Sequence, residues 1–276
     1  MKSILITGCS TGFGYRMAMT ALARGYNVAA TARDPTRLED LADLPGASER
    51  LLCQRIDVTA PDTIDAAVAA TEKRFGAVDV VVNNAGYGLM GPVEEVPVAE
   101  WRAQFETNLF GAVAMIQAVL PGMRHRGSGH IVVVSSISAV RAMPLMGPYC
   151  ASKWALEGMA EALYYELYPL GLRVTIIEPG VFRTDFQRRS MRVYGDARDA
   201  EAPYSRATRH LARLRASAGS LPDPQPVAET ILHVIETDNP PLRQTVGADV
   251  EEMVALRRSL SEAEFLAMMR RGLGLE

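Results

Sequence analysis

The sequence is poor in the residues that would staple or metallate a fold. It holds three cysteines in 276 residues, Cys9, Cys53 and Cys150, an odd and widely spaced set that implies no disulfide framework. The four histidines, His125, His130, His210 and His233, keep no ligand spacing with one another or with a cysteine pair, so no metal is expected. Basic charge is not in excess: 29 Lys and Arg against 32 Asp and Glu leave a net charge of −3. A nucleic acid or an anionic membrane surface would favour a concentrated basic patch, so neither is an expected partner. No apolar run approaches the roughly 20 residues needed to span a bilayer. The apolar opening, Met1 to Ile6, is short and runs straight into a glycine-rich turn, so it reads as a strand and not as a leader. A cytoplasmic protein is expected. No internal repeat or low-complexity tract is present.

What the chain does have is ordinary globular material, 48% apolar and 22% charged. The whole of 1–276 reads as one domain. Short runs rich in Val, Ile and Leu read as buried strands at 3–7, 27–31, 51–57, 78–83, 130–135 and 173–178. Helical patterns lie between them at 13–24, 36–44, 61–75, 98–126 and 149–169. In the third of these Ile64, Ala67, Val68 and Thr71 share one face, and Asp62, Asp65 and Glu72 the other. Such alternation predicts an α/β fold, a single doubly wound domain with a central parallel sheet flanked by helices on both faces. The pattern changes after Gly180. Residues 183–215 carry nine arginines interleaved with Phe186, Met191, Tyr194 and Tyr204, and a stretch at about 183–225 is placed to cover an active-site mouth. A helix at 226–237, a strand at 243–246 and an amphipathic helical tail at 249–271 complete the reading.

The first strand ends in Thr7-Gly8-Cys9-Ser10-Thr11-Gly12-Phe13-Gly14 and opens directly into a helix. Glycines let backbone approach a pyrophosphate closely, and the helix start offers free N–H groups to the anion. The spacing is Gly-x-x-x-Gly-x-Gly and not the common Gly-x-Gly-x-x-Gly. At the end of the second strand an acidic side chain would hold the free ribose hydroxyl of NAD, whereas arginine suits the 2′-phosphate of NADP. Ala32 stands at the acid's place and Arg33 follows it, with Ser10 and Thr11 as further donors. NADP(H) is therefore favoured. Asp34 keeps NAD(H) open, because a strand ending one residue later would make it the acid.

Tyr149 and Lys153 lie four apart at the start of a predicted helix, so they project from one face. A free phenol titrates near ~10, and a neighbouring ammonium lowers that value towards the range of a usable acid or base. The pair gains weight from what surrounds it. The fifth strand ends at Ser135-Ser136, where Ser136 is placed to donate to a substrate oxygen and Ser135 and Ser138 to cap turns. The fourth ends in Asn83-Asn84-Ala85-Gly86. Asn108 interrupts an otherwise apolar helix and is either a packing amide or part of a proton relay.

Together these motifs resemble the short-chain dehydrogenase/reductase family: Thr7 to Gly14, Asp57-Val58, Asn83 to Gly86, Asn108, Ser136, Tyr149-x-x-x-Lys153 and Pro179-Gly180, in order over residues 1 to about 185. The fragments Ile6 to Ser10, Ala30 to Pro35 and Glu178 to Gly180 resemble its hydroxysteroid and retinol dehydrogenase-like branch. The resemblance implies a Rossmann-type fold and assigns roles. Tyr149 would be the general acid/base, Ser136 would polarise the carbonyl, and Lys153 would depress the Tyr149 pKa while holding the nicotinamide ribose. Asn108 would anchor a water leading to Lys153. Gly8, Ser10, Thr11, Gly12, Phe13 and Gly14 would cradle the phosphates, with Arg33 at the 2′-position. Asp57 and Val58 would flank the adenine, Asn83, Ala85 and Gly86 would line the cofactor channel, and Pro179, Gly180 and Thr184 would place the carboxamide. Ala139, where many members carry glycine, departs from the pattern without touching catalysis. Val140, Arg141, Met143, Leu145, Met146, Tyr87, Leu89, Phe182 and Phe186 form the expected pocket wall, suited to a small hydrophobic ketone or alcohol. The arginines of 183–215 read as a solvated face more readily than as an anion site. A homodimer or homotetramer is the assembly the resemblance implies. The alternatives to a working enzyme are a catalytically silent sensor or scaffold of the same fold and a nucleotide-sugar epimerase, whose glycine spacing and longer C-terminal part are absent.

Overall fold

The computed structural model describes residues 1–195, 204–209 and 221–275. The strands are β1 (Ser3–Ile6), β2 (Asn27–Ala32), β3 (Leu51–Arg55), β4 (Val80–Asn83), β5 (Gly88–Met90), β6 (His130–Val134), β7 (Arg173–Pro179), β8 (Met191–Val193) and β9 (Arg243–Val246). The helices are α1 (Gly12–Ala23), α2 (Ala47–Arg50), α3 (Pro61–Phe75), α4 (Val98–Phe105), α5 (Gly111–Arg126), α6 (Gly147–Leu167), α7 (Phe186–Arg189), α8 (Gln225–Glu236), α9 (Ala248–Ser259) and α10 (Glu262–Gly272). Seven strands form one parallel sheet in the order β3-β2-β1-β4-β6-β7-β9.

Alternation along each strand distributes its side chains between two cores. Ile4, Ile6, Val80, Val82, Val132 and Val134 point to the face covered by α1 and α8, packing with Met17, Leu22, Ile231 and Leu232. Leu5, Val81, Ile131 and Val133 point to the other face, with Ile64 of α3, Met115 of α5 and Leu163 of α6. Strands buried on both sides carry no polar alternation, so they appear in sequence as unbroken apolar runs. This is a doubly wound, Rossmann-type sheet. Its order reverses between β1 and β4, and a crevice opens beyond the carboxyl ends of the strands at that switch point.

Four local features differ from the sequence reading. The segment at 36–44 is a 3₁₀ turn, Pro35–Asp43, begun by Pro35 and capped by Asp34, whose carboxylate accepts from the Thr36 N–H at 3.2 Å. The single helix expected at 98–126 is interrupted by a π-helical turn, Glu106–Phe110, holding Asn108; such turns insert an extra residue and re-aim the side chains beside them. The tail is two helices, because Ser261 and Glu264 form a reciprocal capping box that starts α10 afresh. A three-residue parallel pair, β5 with β8, was not anticipated. Much of the expected cover at 183–225, including Arg198, Arg213 and Arg215, lies outside the described residues.

Candidate active site

The turn after β1 is shaped by glycine where nothing else fits. Gly8 has φ +74°, and a Cβ there would lie 3.0 Å from the Ala85 Cα. A Cβ on Gly14 would lie 2.4 Å from the Gly8 carbonyl oxygen. Gly14 therefore closes the turn against helix α1 and does not itself line the crevice, whereas Gly8, Ser10, Thr11, Gly12 and Phe13 do. Asn84 holds the turn from below, its amide donating to the Thr7 carbonyl at 2.9 Å and the Gly8 carbonyl at 3.2 Å. Thr11, at the N-cap of α1, makes no side-chain capping bond, and the first turn carries no acid. Its N–H groups are thus left for an external anion. Cys9 is buried, and burial pushes its thiol up to about 12, which leaves it unreactive.

Beyond the turn, β2 ends at Ala32, paired with Arg55. Ala32, Arg33, Asp57 and Val58 line this end of the crevice. Asp34 does not: its carboxylate is taken by Thr36, whose hydroxyl it accepts at 2.7 Å, and these bonds hold it below the usual range. Ala85 and Gly86 line the crevice, but Asn83 is buried as the last residue of β4 and Asn84 stands in its expected place. Strand alternation sends adjacent side chains to opposite faces, so a shift of one residue decides which asparagine is presented.

Helix α6 starts at Gly147, two residues before the sequence reading placed it, with Pro148 in its first turn. Tyr149, Lys153 and Glu157 follow one another along its buried face. The Lys153 Nζ lies 5.9 Å from the centre of the Tyr149 ring and donates to the Val134 carbonyl at 2.8 Å. Both side chains and Ser136 line the crevice. The expected acidification of Tyr149 by Lys153 does not hold in this arrangement. Burial pushes the phenol up to about 12, opposed by a hydrogen bond with the Ser136 hydroxyl. Burial likewise pulls the Lys153 ammonium down to about 8, opposed by the Glu157 carboxylate. Desolvation outweighs the neighbouring charge because the ammonium is bonded to backbone and not to the phenol oxygen.

Asn108 is buried and does not line the crevice. Its Nδ2 donates to the Tyr87 carbonyl at 2.9 Å and to Ser152 Oγ at 3.0 Å, and its Oδ1 accepts from the Tyr87 N–H at 3.0 Å. The amide thus ties the segment after β4 to α6. Behind Ser136, Ser135 donates to Glu157 at 2.6 Å, and Arg243 of β9 bonds Glu157 at 3.0 Å and Glu161 at 2.7 Å. Glu178 joins this group; burial and the Glu157 charge push its carboxyl up to about 7.

The crevice encloses about 900 Å³. Of the expected wall, Tyr87, Arg141, Met143, Met146, Phe182 and Phe186 line it. Leu89 and Leu145 are buried in packing instead, and Val140 does not line the crevice. Leu145 holds φ +64°, an unusual backbone for leucine, and its carbonyl accepts from the Gly91 N–H at 2.7 Å. Pro179, Gly180 and Thr184 line the crevice as expected, and so do Ser190 and Met191, beside and on β8, which lie in the expected cover but not in the expected pocket wall.

Known proteins share this sequence pattern and fold. The family model for short chain dehydrogenases matches residues 2–193. The chain is 39% identical over 253 residues to oxidoreductase BOA17 of Botryotinia fuckeliana, covering 91% of this chain and 90% of that protein. It is 34% identical over 274 residues to retinol dehydrogenase 8 of Homo sapiens, covering 93% and 85%. Its fold is similar to a crystal structure of a short-chain dehydrogenase from Streptomyces avermitilis, with TM-score 0.84, 34% identity and 100% of both chains covered. Two further similar structures carry different cofactors. One is a closed serine dehydrogenase complexed with NADP+, at TM-score 0.75 and 26% identity over 88% of this chain and 94% of that one. The other is a protein from Burkholderia phymatum in complex with NAD, at TM-score 0.78 and 26% identity over 93% and 92%.

Proposed function

Because the chain belongs to the short-chain dehydrogenase family, we propose that it transfers a hydride between a nicotinamide and a hydrophobic ketone or secondary alcohol, with Tyr149 as the proton-transfer residue. The observation that carries the reading is the meeting of Ser136, Tyr149 and Lys153 in one crevice that continues to the Gly8–Phe13 turn. The glycine cradle and the uncapped start of α1 fit a dinucleotide pyrophosphate, and such a cofactor supplies the hydride when bound. Arg33, with Asp34 engaged elsewhere, supports NADP(H) over NAD(H).

The chain's own groups do the rest. Ser136 and Tyr149, hydrogen-bonded to each other, would both meet a substrate carbonyl oxygen, and hydrogen bonds from them would stabilise the charge that grows there. A phenol held near 12 is protonated at neutral pH and so stands as the proton donor for carbonyl reduction. Lys153, held by Val134, places a positive charge beside the phenolate left after the transfer. Asn108 fixes the backbone at Tyr87 and the hydroxyl of Ser152, so it keeps α6 and the segment after β4 in register. Phe186, with its ring 5.6 Å from that of Tyr149, and Met143, Met146 and Met191 exclude water and suit an apolar substrate body. The described part of the expected cover, through Phe186, Ser190 and Met191, lines this mouth, which suits a single domain with its cover at about 183–225.

A panel of hydrophobic ketones and alcohols, followed by the absorbance of NADPH and NADH, tests the reading. Ketone reduction with NADPH is expected at neutral pH, with alcohol oxidation rising as pH increases. Cofactor binding without turnover of any carbonyl would overturn it.

A further inference from the structure

The geometry points to Arg141 as a recognition residue for an anionic group on the substrate, so that the ligand of this crevice is an apolar carbonyl compound bearing a carboxylate or phosphate. The inference rests on the oxidoreductase reading of the cleft. Arg141 stands five residues after Ser136, at the substrate end. It is half-buried and lines the crevice. Its Nε is buried without a hydrogen-bond partner among the described residues, and its Nη1 meets only the sulfur of Met143. A thioether is a weak acceptor, so a guanidinium with five rigid donors is left without the oxygen ligands it matches. Asp249 pulls on it electrostatically but forms no ion pair with it among the described residues. That carboxylate accepts from the Val181 N–H at 2.8 Å.

The other partly buried arginines show what satisfaction looks like in this fold. Arg243 bonds Glu157 and Glu161, Arg16 bonds Asp223, and Arg173 bonds the Thr237 carbonyl. Arg50 has an unpartnered Nε too, but away from the crevice. Among the described residues lining the crevice, Arg33, Arg141, Lys153, Arg189 and Arg192 are basic, and Asp57 alone is acidic. Asp57 sits at the far end and feels Arg33. Arg192 is neutralised by Glu100 at 3.2 Å and lies 5.0 Å from the Tyr87 ring centre. Lys153 is bonded to the Val134 carbonyl and Arg189 is exposed, so Arg141 is the half-buried cation of this crevice that has no ion pair and no oxygen ligand among the described residues. A buried charge lacking a partner is costly to keep, and a carboxylate or phosphate on the substrate would supply the missing acceptors in a bidentate pair.

The test is calorimetric binding of phenylbutanoate, phenylbutyl phosphate and neutral phenylbutanamide to the protein saturated with NADP+. Wild type is expected to bind an anion at least tenfold tighter than the amide, and the tighter anion names the head group. Arg141→Met is expected to erase that preference while leaving amide affinity, NADPH affinity and Tm unchanged, with Arg141→Lys retaining part of it. Equal affinity of wild type for all three ligands would overturn the inference, as would an Arg141→Met loss shared equally by the amide. Turnover of benzoylpropanoate and benzoylpropanamide separates the two readings. Anion preference while these two and the whole ketone panel stay unreacted sinks the enzyme and keeps the anion site; turnover without anion preference does the reverse.

Discussion

The two ends of the crevice are built by different means. The end near β1 and β2 is backbone: a glycine turn with φ +74° at Gly8, carbonyls bound by Asn84, and the open start of a helix. The end near Arg141 and Phe186 is side chain, assembled from the segments after β4, β6 and β7. Backbone geometry leaves little freedom in sequence, because only glycine fits positions that another backbone approaches within a Cβ radius. A wall of methionines and aromatics accepts many substitutions. On the proposed reading the first end holds the cofactor and the second selects the substrate.

That contrast can be broken at the backbone end with the smallest change. Gly14→Ala forces a Cβ onto the Gly8 carbonyl and is expected to weaken NADPH binding by about a hundredfold or to unfold the turn, since overpacking against fixed backbone costs on the order of 1–3 kcal/mol or more. Fluorescence titration checks it, and near-normal affinity would show that the turn is as tolerant as the wall. Arg33→Ala has a smaller and selective effect. NADPH affinity should fall about tenfold, worth ~1.4 kcal/mol, with NADH affinity unchanged; equal losses would remove the assignment of Arg33 to the 2′-phosphate.

The smallest effect is expected behind the site, at Glu178. Its carboxyl is raised from 4.5 to about 7, so the folded chain keeps a proton that the unfolded chain releases. The associated stability is full below 4.5 and is lost as pH rises through about 7. Glu178→Gln should therefore raise Tm by a few degrees at pH 8, at roughly 2–4 °C per kcal/mol, and change it little at pH 4.5. A thermal melt at both values decides, and a lower Tm of the variant at pH 8 would contradict the shift. His130 acts in the opposite sense. Buried against Thr175 at 2.9 Å, its imidazole is pulled down to about 3, so its share of stability is lost on acidification below 6.5.

Much of this was legible in the sequence. Unbroken Val and Ile runs gave the strands, and the glycine turn, Ser136, Tyr149 and Lys153 came together as their spacing implied. What escaped was set by tertiary context. Strand β5 pairs with β8 across about a hundred residues of chain, and three-residue strands carry no period to read. The π turn at Asn108 looks like any helical stretch in one dimension. Which of Asn83 and Asn84 faces the crevice turns on a strand end, the least determinate feature of a sequence. The sign of the Tyr149 shift depended on burial and on where the Lys153 ammonium bonds, neither of which spacing encodes. The arginines after Gly180 drew attention to themselves, whereas Arg141, a lone arginine in an apolar run, gained meaning only from its missing partner.

The central claim is that Tyr149 moves the proton. Stopped-flow turnover and NADPH titration on Tyr149→Phe test it together, because phenylalanine keeps the ring against Phe186 and removes only the hydroxyl. The kcat is expected to fall by at least a thousandfold, with NADPH affinity within about twofold of wild type. Turnover retained within tenfold would contradict it.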